Sequence, residues 1–171
     1  MVHWFFGFPG SGKTHVAGLF SQRAGIPRYE GDDFHTEDDR RAIEAGAFTL
    51  AHRHAQLERI HRALRNAGIS DALVTHPLPD KASRQLVRGL SGHVARLIYV
   101  TAPLPLIKER LATRKDHHFS ARLLDAWIPR HWEEPVGEDC FLIKNGPDED
   151  LLEVQLRKLR AWSHGNGAPV S

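Results

Sequence analysis

The sequence predicts a single α/β domain, a five-stranded, mostly parallel sheet flanked by helices, and three observations carry that expectation. Short apolar runs alternate with helix-length segments along the chain, as in a parallel sheet whose strands are joined by helical crossovers. The length, 171 residues, suits one domain with a sizeable core. At the first strand-to-helix junction stands Gly7-Phe8-Pro9-Gly10-Ser11-Gly12-Lys13-Thr14, which fits the spacing G-x-x-x-x-G-K-[ST] of a phosphate-binding loop.

Each element follows in order. Val2 to Phe6 is apolar, aromatic and β-branched, a buried strand feeding the loop. The glycines of the loop let successive N–H groups converge on anionic oxygens, so the loop is an anion nest. Lys13 can reach the β- and γ-phosphates of a nucleoside triphosphate, and the Thr14 hydroxyl can ligate a bridging Mg²⁺. Gly7, Pro9, Gly10, Ser11, Gly12, Lys13, Thr14 and His15 are therefore the candidate ATP-binding residues. Thr14 stands in the first turn of the following helix, where Val16, Ala17, Leu19 and Phe20 share a face and Gly25-Ile26-Pro27 is the stop signal.

Arg28-Tyr29-Glu30 reads as a short second strand leading into Gly31-Asp32-Asp33-Phe34-His35. Acids at the carboxyl edge of a parallel sheet suit chemistry: Asp32 can accept the proton of a substrate hydroxyl, and Glu30 can hold a water of the Mg²⁺ shell. The competing reading is that these acids cap the next helix, for which Thr36 or Asp33 would serve. Helices are expected over Thr36 to Ala45, ended by Gly46, and over roughly Thr49 to Ala67. The second carries a basic side with His52, Arg53 and His54. A solvated face accounts for most of that charge, and Arg53 is the exception nearest the expected site.

Ile69 to Thr75 reads as the third strand, His76 to Asp80 as a rigid turn, and the segment through Leu90 as a helix. Val94 to Val100 is a nearly continuous apolar strand, followed by a helix to about Arg114. From Lys108 to Arg122 the basic residues crowd, including Arg110 and Arg114. Such a segment can close over ATP as a mobile lid at about 114–122 and set a guanidinium on the phosphate in flight, and it can equally be a surface turn. Pro129 is expected to interrupt a helix over Leu123 to Trp132. Cys140 to Ile143 is the last strand, Leu151 to Trp162 the last helix, and 164–171 a mobile tail after a domain of 1–163.

Composition narrows the function. Hydrophobic residues make up 41% and charged residues 26%, ordinary for a soluble globular protein. A formal charge of only +2 gives no overall field for nucleic acid. Cys140 is the only cysteine, so no intrachain disulfide forms and a cytoplasmic, reducing setting is expected. No signal segment or membrane-length apolar run is present in the sequence, and no H-E-x-x-H spacing offers a transition-metal site. The oligomeric expectation stays between monomer and homodimer.

These motifs resemble the gluconokinase family of small P-loop kinases, which are P-loop NTPases related in fold to shikimate and nucleoside monophosphate kinases. The resemblance rests on Gly7 to Thr14, on Tyr29 to His35, on Leu97-Ile98-Tyr99-Val100, on Ile107 through Phe119 as an R-L-x-x-R-x-x-H-F lid, and on Glu133-Glu134-Pro135 as an E-x-P segment. It implies strand order 2-3-1-4-5. It also implies Asp32 as the base orienting a sugar-acid hydroxyl, Thr14 as a Mg²⁺ ligand, and Arg110 and Arg114 as lid contacts to nucleotide phosphate or adenine.

The departures fall on the acceptor side. Thr36 follows His35 where the family usually has proline. Phe48 to Leu57 lacks both acids of the family's P-L-x-D-x-D-R-x-x-W-L stretch. His76-Pro77-Leu78-Pro79-Asp80-Lys81 replaces S-A-L-K-R, so Lys81 matches the family lysine only across a one-residue insertion. The family's S-Q-F-E is absent before Pro135. The expectation is ATP-dependent transfer of the γ-phosphate to a hydroxyl of a small polar acceptor, a sugar acid such as gluconate, with His35, Arg53 and Lys81 as acceptor contacts and Lys13, Asp32 and Arg114 as the catalytic set. Shikimate, a nucleoside phosphate or an antibiotic are the other acceptors, and a silent ATP-binding switch is the rival from another class.

Overall fold

Strand and helix alternate from the first residues onward in the computed structural model, which describes residues 1–90, 92, 94–113 and 121–165. Strand β1 (Val2–Phe6) enters the phosphate loop, and α1 (Lys13–Ala24) leaves it. Then come β2 (Arg28–Glu30), a 3-10 turn at Gly31–Phe34, α2 (Glu37–Glu44), α3 (Leu50–Asn66), β3 (Ala72–Thr75) and α4 (Lys81–Gly89). The chain finishes with β4 (Ala95–Thr101), α5 (Leu104–Thr113), α6 (Ala121–His131), β5 (Phe141–Lys144) and α7 (Glu149–His164).

The sheet order is β2-β3-β1-β4-β5, as the resemblance implies. Every adjacent pair is parallel, one step beyond the mostly parallel sheet expected. All five strands therefore end at one edge, and the residues just past them meet there.

Both faces of the sheet are covered, which explains why β1 is buried at every position. Phe5 faces α1 and α7, packed with Val16, Phe20 and Leu156. Trp4 and Phe6 face the opposite layer, with Leu57, Ile60 and Leu64 of α3 and Val87 of α4. Alternate side chains point to opposite faces of a strand, and each large one contributes about 1.5–3 kcal/mol on burial. The phosphate loop is thus anchored at a fully buried strand. Among the described residues no helix is long and apolar enough to cross a membrane.

Several boundaries shift for local reasons. The third strand begins at Ala72, paired with Val2, rather than at Ile69. The Ile69 N–H instead bonds back to the Leu64 carbonyl at 3.0 Å, and the amino terminus bonds Ser70 and Asp71. Thr101 stays in β4, opposite Lys144, so α5 starts only at Leu104. Pro129 lies inside α6 without ending it. One turn from the helix end it removes a single bond to Asp125, an exposed position, and the Trp132 N–H still reaches Ile128 at 3.0 Å. The last helix continues to His164, and residues 166–171 of the expected tail lie outside the described residues, as do 114–120 of the expected lid.

Candidate active site

The loop has the backbone that its sequence demands. Gly7, Gly10 and Gly12 have φ of 147°, 82° and 89°. A Cβ on Gly7 would stand 2.1 Å from the Val100 carbonyl oxygen, and one on Gly12 would stand 2.0 Å from Asn145 Nδ2. Close approach of β4 and of the β5 exit therefore shapes the cradle. The Lys13 ammonium donates to the Phe8 carbonyl at 2.8 Å, curled over the loop it would share with a phosphate. Ser11 is fully buried, and its hydroxyl has no hydrogen-bond partner among the described residues. Pro9 is half-buried beside it, while Thr14 and His15 are exposed on the first turn of α1.

Two residues complete this end from far along the chain. Asn145, buried just past β5, donates to the Ser11 carbonyl at 2.8 Å. Arg110 of α5 reaches the Ser11 carbonyl at 3.4 Å and the Asn145 carbonyl at 3.3 Å. Arg110 is thus at the loop, whereas Arg114 lies outside the described residues. Asn145 was missed from sequence because an isolated Asn-Gly after a strand reads as a turn.

The acids after β2 divide by task. Glu30 is bracketed by oxygens and a cation: Thr14 Oγ1 donates to it at 3.2 Å, Thr75 Oγ1 also donates, and Arg28 bonds its other oxygen at 2.7 Å. Hydroxyl and carboxylate oxygens suit a hard cation such as Mg²⁺. Among the described residues no cluster of three His, Cys, Asp or Glu could hold a metal ion by itself. Asp32 is exposed in the 3-10 turn, and its carboxylate has no hydrogen-bond partner among the described residues. The capping alternative falls to Thr36, which forms a capping box with Asp39 at the start of α2. Neither Asp32 nor Asp33 is used for that purpose.

A second concavity of ≈ 440 Å³ opens between the start of α3, the start of α4 and the end of α6. Its basic side chains are Arg53 and Arg130, beside the imidazole of His131, its acids Asp80 and Glu133, and its aromatic walls Phe48 and Trp132. Trp132 also packs against Phe8 of the phosphate loop, with ring centroids 4.2 Å apart, which joins the two compartments. The Arg53 guanidinium lies over the Phe48 ring at 5.7 Å. Its Nε is buried without a hydrogen-bond partner, and its nearest acid, Asp80, is 3.6 Å away. Burial lowers its affinity for the proton, and Asp80 opposes that effect.

His35 stands edge-on to the same Phe48 at 5.7 Å, so His35 and Arg53 come together. Lys81 does not join them. Its side chain is exposed and outside the lining, and its backbone N–H donates to Glu133 at 2.7 Å. Asp80, Glu133, Arg130 and His131 were not singled out as acceptor-side residues in the sequence, since nothing in their spacing shows that α6 folds back beside α3.

Residues 2–130 match the family model AAA_33, described as an AAA domain. The chain belongs to this AAA family. This AAA protein is 26% identical over 162 residues to a probable gluconokinase of Dictyostelium discoideum, covering 86% of this chain and 81% of the other. Its fold is similar to that of an unliganded sugar kinase from Janibacter sp. HTCC2649, with TM-score 0.75, 24% identity, and coverage of 93% and 94% of the two chains. It is also similar to the Mycobacterium tuberculosis APS kinase CysC in complex with AMPPNP and APS, with TM-score 0.62, 23% identity, and coverage of 95% and 96%. The AAA protein has the fold of the P-loop kinases, and its curated relative and structural neighbours are small-molecule kinases.

Proposed function

We propose that the protein transfers the γ-phosphate of Mg·ATP to a hydroxyl of a sugar acid such as gluconate. The observation that carries the acceptor class is Arg53: a half-buried side chain whose buried Nε makes no hydrogen bond and lies 3.6 Å from the Asp80 carboxylate, on the wall of a ≈ 440 Å³ cavity. Such a cation is incompletely compensated, and a carboxylate entering beside it can take two parallel N–H bonds. Asp80 beside Arg53, and Glu133, also line the cavity and can accept hydrogen bonds from the acceptor's hydroxyl groups.

In this reading the loop amides and Lys13 bind the triphosphate, Arg110 stays at the loop rim, and Arg114 is the further phosphate contact that the resemblance implies. Thr14 and Glu30 would hold Mg²⁺ directly or through water, and the ion would supply charge neutralisation at the triphosphate. Asp32 takes the proton of the attacking hydroxyl. The acceptor oxygen bonds the γ-phosphorus as the bond to the β–γ bridging oxygen breaks, and ADP leaves. His35 steadies the Phe48 wall, and Lys81 is left as an outer-rim contact.

The test is ADP release from Mg·ATP over sugar acids, shikimate, nucleoside monophosphates and aminoglycosides. Turnover is expected with a sugar acid, and Arg53→Met should raise the KM for that acid about thirtyfold or more, the size expected for one half of a desolvated charge pair. Turnover confined to a cationic acceptor overturns the acceptor class. Tight Mg·ATP binding with no turnover on any acceptor favours a silent switch.

A further inference from the structure

A buried polar chain whose side chains lie outside the lining of the cavity links α3, the exit of β3 and the 3-10 turn. His76, just past β3, is 3% exposed, and Gln56 of α3 is 1% exposed. The Leu78 N–H donates to His76 Nδ1 at 3.2 Å, so the ring's proton sits on Nε2, which donates to Gln56 Oε1 at 3.1 Å. The Gln56 amide nitrogen donates in turn to the Gly31 carbonyl at 2.8 Å. The opposite amide orientation would set two oxygens against each other, so the order of donors along the chain is determined. Burial, followed by the charges of Arg53, His35 and Lys13, holds the His76 imidazole well below its ordinary pKa, and it stays neutral.

Each end of this chain is attached to a residue of the proposed machinery. Gly31 opens the 3-10 turn that bears Asp32, and it is packed so closely that a Cβ there would meet His76 Cδ2 at 2.8 Å and the Thr75 carbonyl at 2.7 Å. Leu78 has φ of 41°, the only positive value among the described non-glycine residues. A leucine holds that left-handed conformation only where its surroundings enforce it. His76 secures its N–H, and Arg84 Nη1 secures its carbonyl at 3.0 Å. Two residues later the same loop presents Asp80 to Arg53.

We infer that His76 and Gln56 form a positioning relay, which sets the turn carrying Asp32 in register with the loop carrying Asp80 and so fixes the acceptor hydroxyl relative to the acid. The relay rests on the reading of Asp32 and the Arg53 cavity as the acceptor site. His76 and Gln56 are positioning residues, since both act through the backbone of their neighbours. A glutamine and a histidine twenty residues apart on α3 and after β3 carry no sequence motif, and the pairing exists only in the folded chain.

Amide hydrogen exchange on the full chain decides it, with Gln56→Met and His76→Asn as separate variants. Gln56→Met leaves the Leu78 bond to His76 in place, and His76→Asn leaves the Gln56 bond to Gly31 in place. The relay requires exchange of the Leu78 amide to rise about tenfold in Gln56→Met, and exchange through residues 31–35 to rise similarly in His76→Asn. Each effect lies on the far side of the chain from the substitution. Exchange that changes only next to each substitution overturns the relay. An imidazole nitrogen spectrum of the wild type showing the proton on Nδ1, or an imidazolium, overturns it as well, and this needs no variant.

With D-gluconate as the probe acceptor, both variants should lower kcat/KM for the acid about a hundredfold, while the Kd for Mg·ATP stays within about twofold. Equal loss of ATP affinity would mean general collapse and defeat the inference. Absence of D-gluconate turnover in the wild type overturns the acceptor reading alone, and exchange and tautomer still decide the relay.

Discussion

Gly12→Ala tests the phosphate cradle where its geometry is tightest. Gly12 has φ of 89°, so any side chain there adds about 1–2 kcal/mol of left-handed strain. The new Cβ would lie 2.0 Å from Asn145 Nδ2 and 3.3 Å from its Cγ. Asn145 cannot swing clear at low cost, because it is 2% exposed and donates to the Ser11 carbonyl at 2.8 Å. Displacing it orphans a buried donor and acceptor for about 1–3 kcal/mol more. The variant should be destabilised by about 2–5 kcal/mol in total. The alternative relaxation moves the loop, and losing two amide contacts to phosphate weakens Mg·ATP on the order of a hundredfold or more. Thermal melting and calorimetry read the two outcomes. Gly18→Ala is the control: it sits in α1 with nothing within 4 Å of a built Cβ, so it should bind normally and gain up to about 1 kcal/mol. A Gly12→Ala protein that melts like the wild type and binds Mg·ATP within about threefold of it would refute the cradle.

Asp32→Asn should leave the Kd for Mg·ATP unchanged and lower kcat on the order of a hundredfold or more in the ADP-release assay; unaltered kcat removes Asp32 as the base. Glu138 supplies a pH prediction. Burial would raise its carboxyl, but hydrogen bonds and charge from Arg84 and Arg88 outweigh burial and hold it below the ordinary value of 4.5. A lowered folded-state pKa stabilises above the unfolded value and loses that contribution as pH falls through the folded one. Glu138→Gln should therefore cost about 3–5 kcal/mol near neutrality, since it leaves the fully buried Arg84 without its 2.8 Å partner. The gap to the wild type should narrow as the pH falls below the ordinary carboxylate value and through the lowered one in denaturant titrations, and a gap independent of pH would contradict the assignment.

Much of the nucleotide side was legible because it is local. Eight consecutive residues contain the loop, and strand and helix on either side follow from apolar periodicity. Glu30 and Asp32 were found for the same reason, two acids at the end of a short strand. The acceptor side was not local. Arg53 stood out only as one basic residue among several, and the cavity it lines draws its other walls from residues near 80 and 130. Arg110 came through the resemblance, whereas Asn145, which meets the Ser11 carbonyl from 134 positions away, came through neither route.

By itself the sequence determined the alternation of strand and helix, the phosphate loop and its lysine, and the acids beside it, since each depends on neighbours within a few residues. Tertiary structure alone decided which residues line the cavity where an acceptor would lie, that Lys81 is not among them while Asp80 meets Arg53, and that a buried histidine and glutamine join the two halves. The physical reason is that hydrogen bonds and ion pairs between distant segments depend on how helices pack across the sheet. That packing is selected by the whole apolar core rather than by any short stretch of residues.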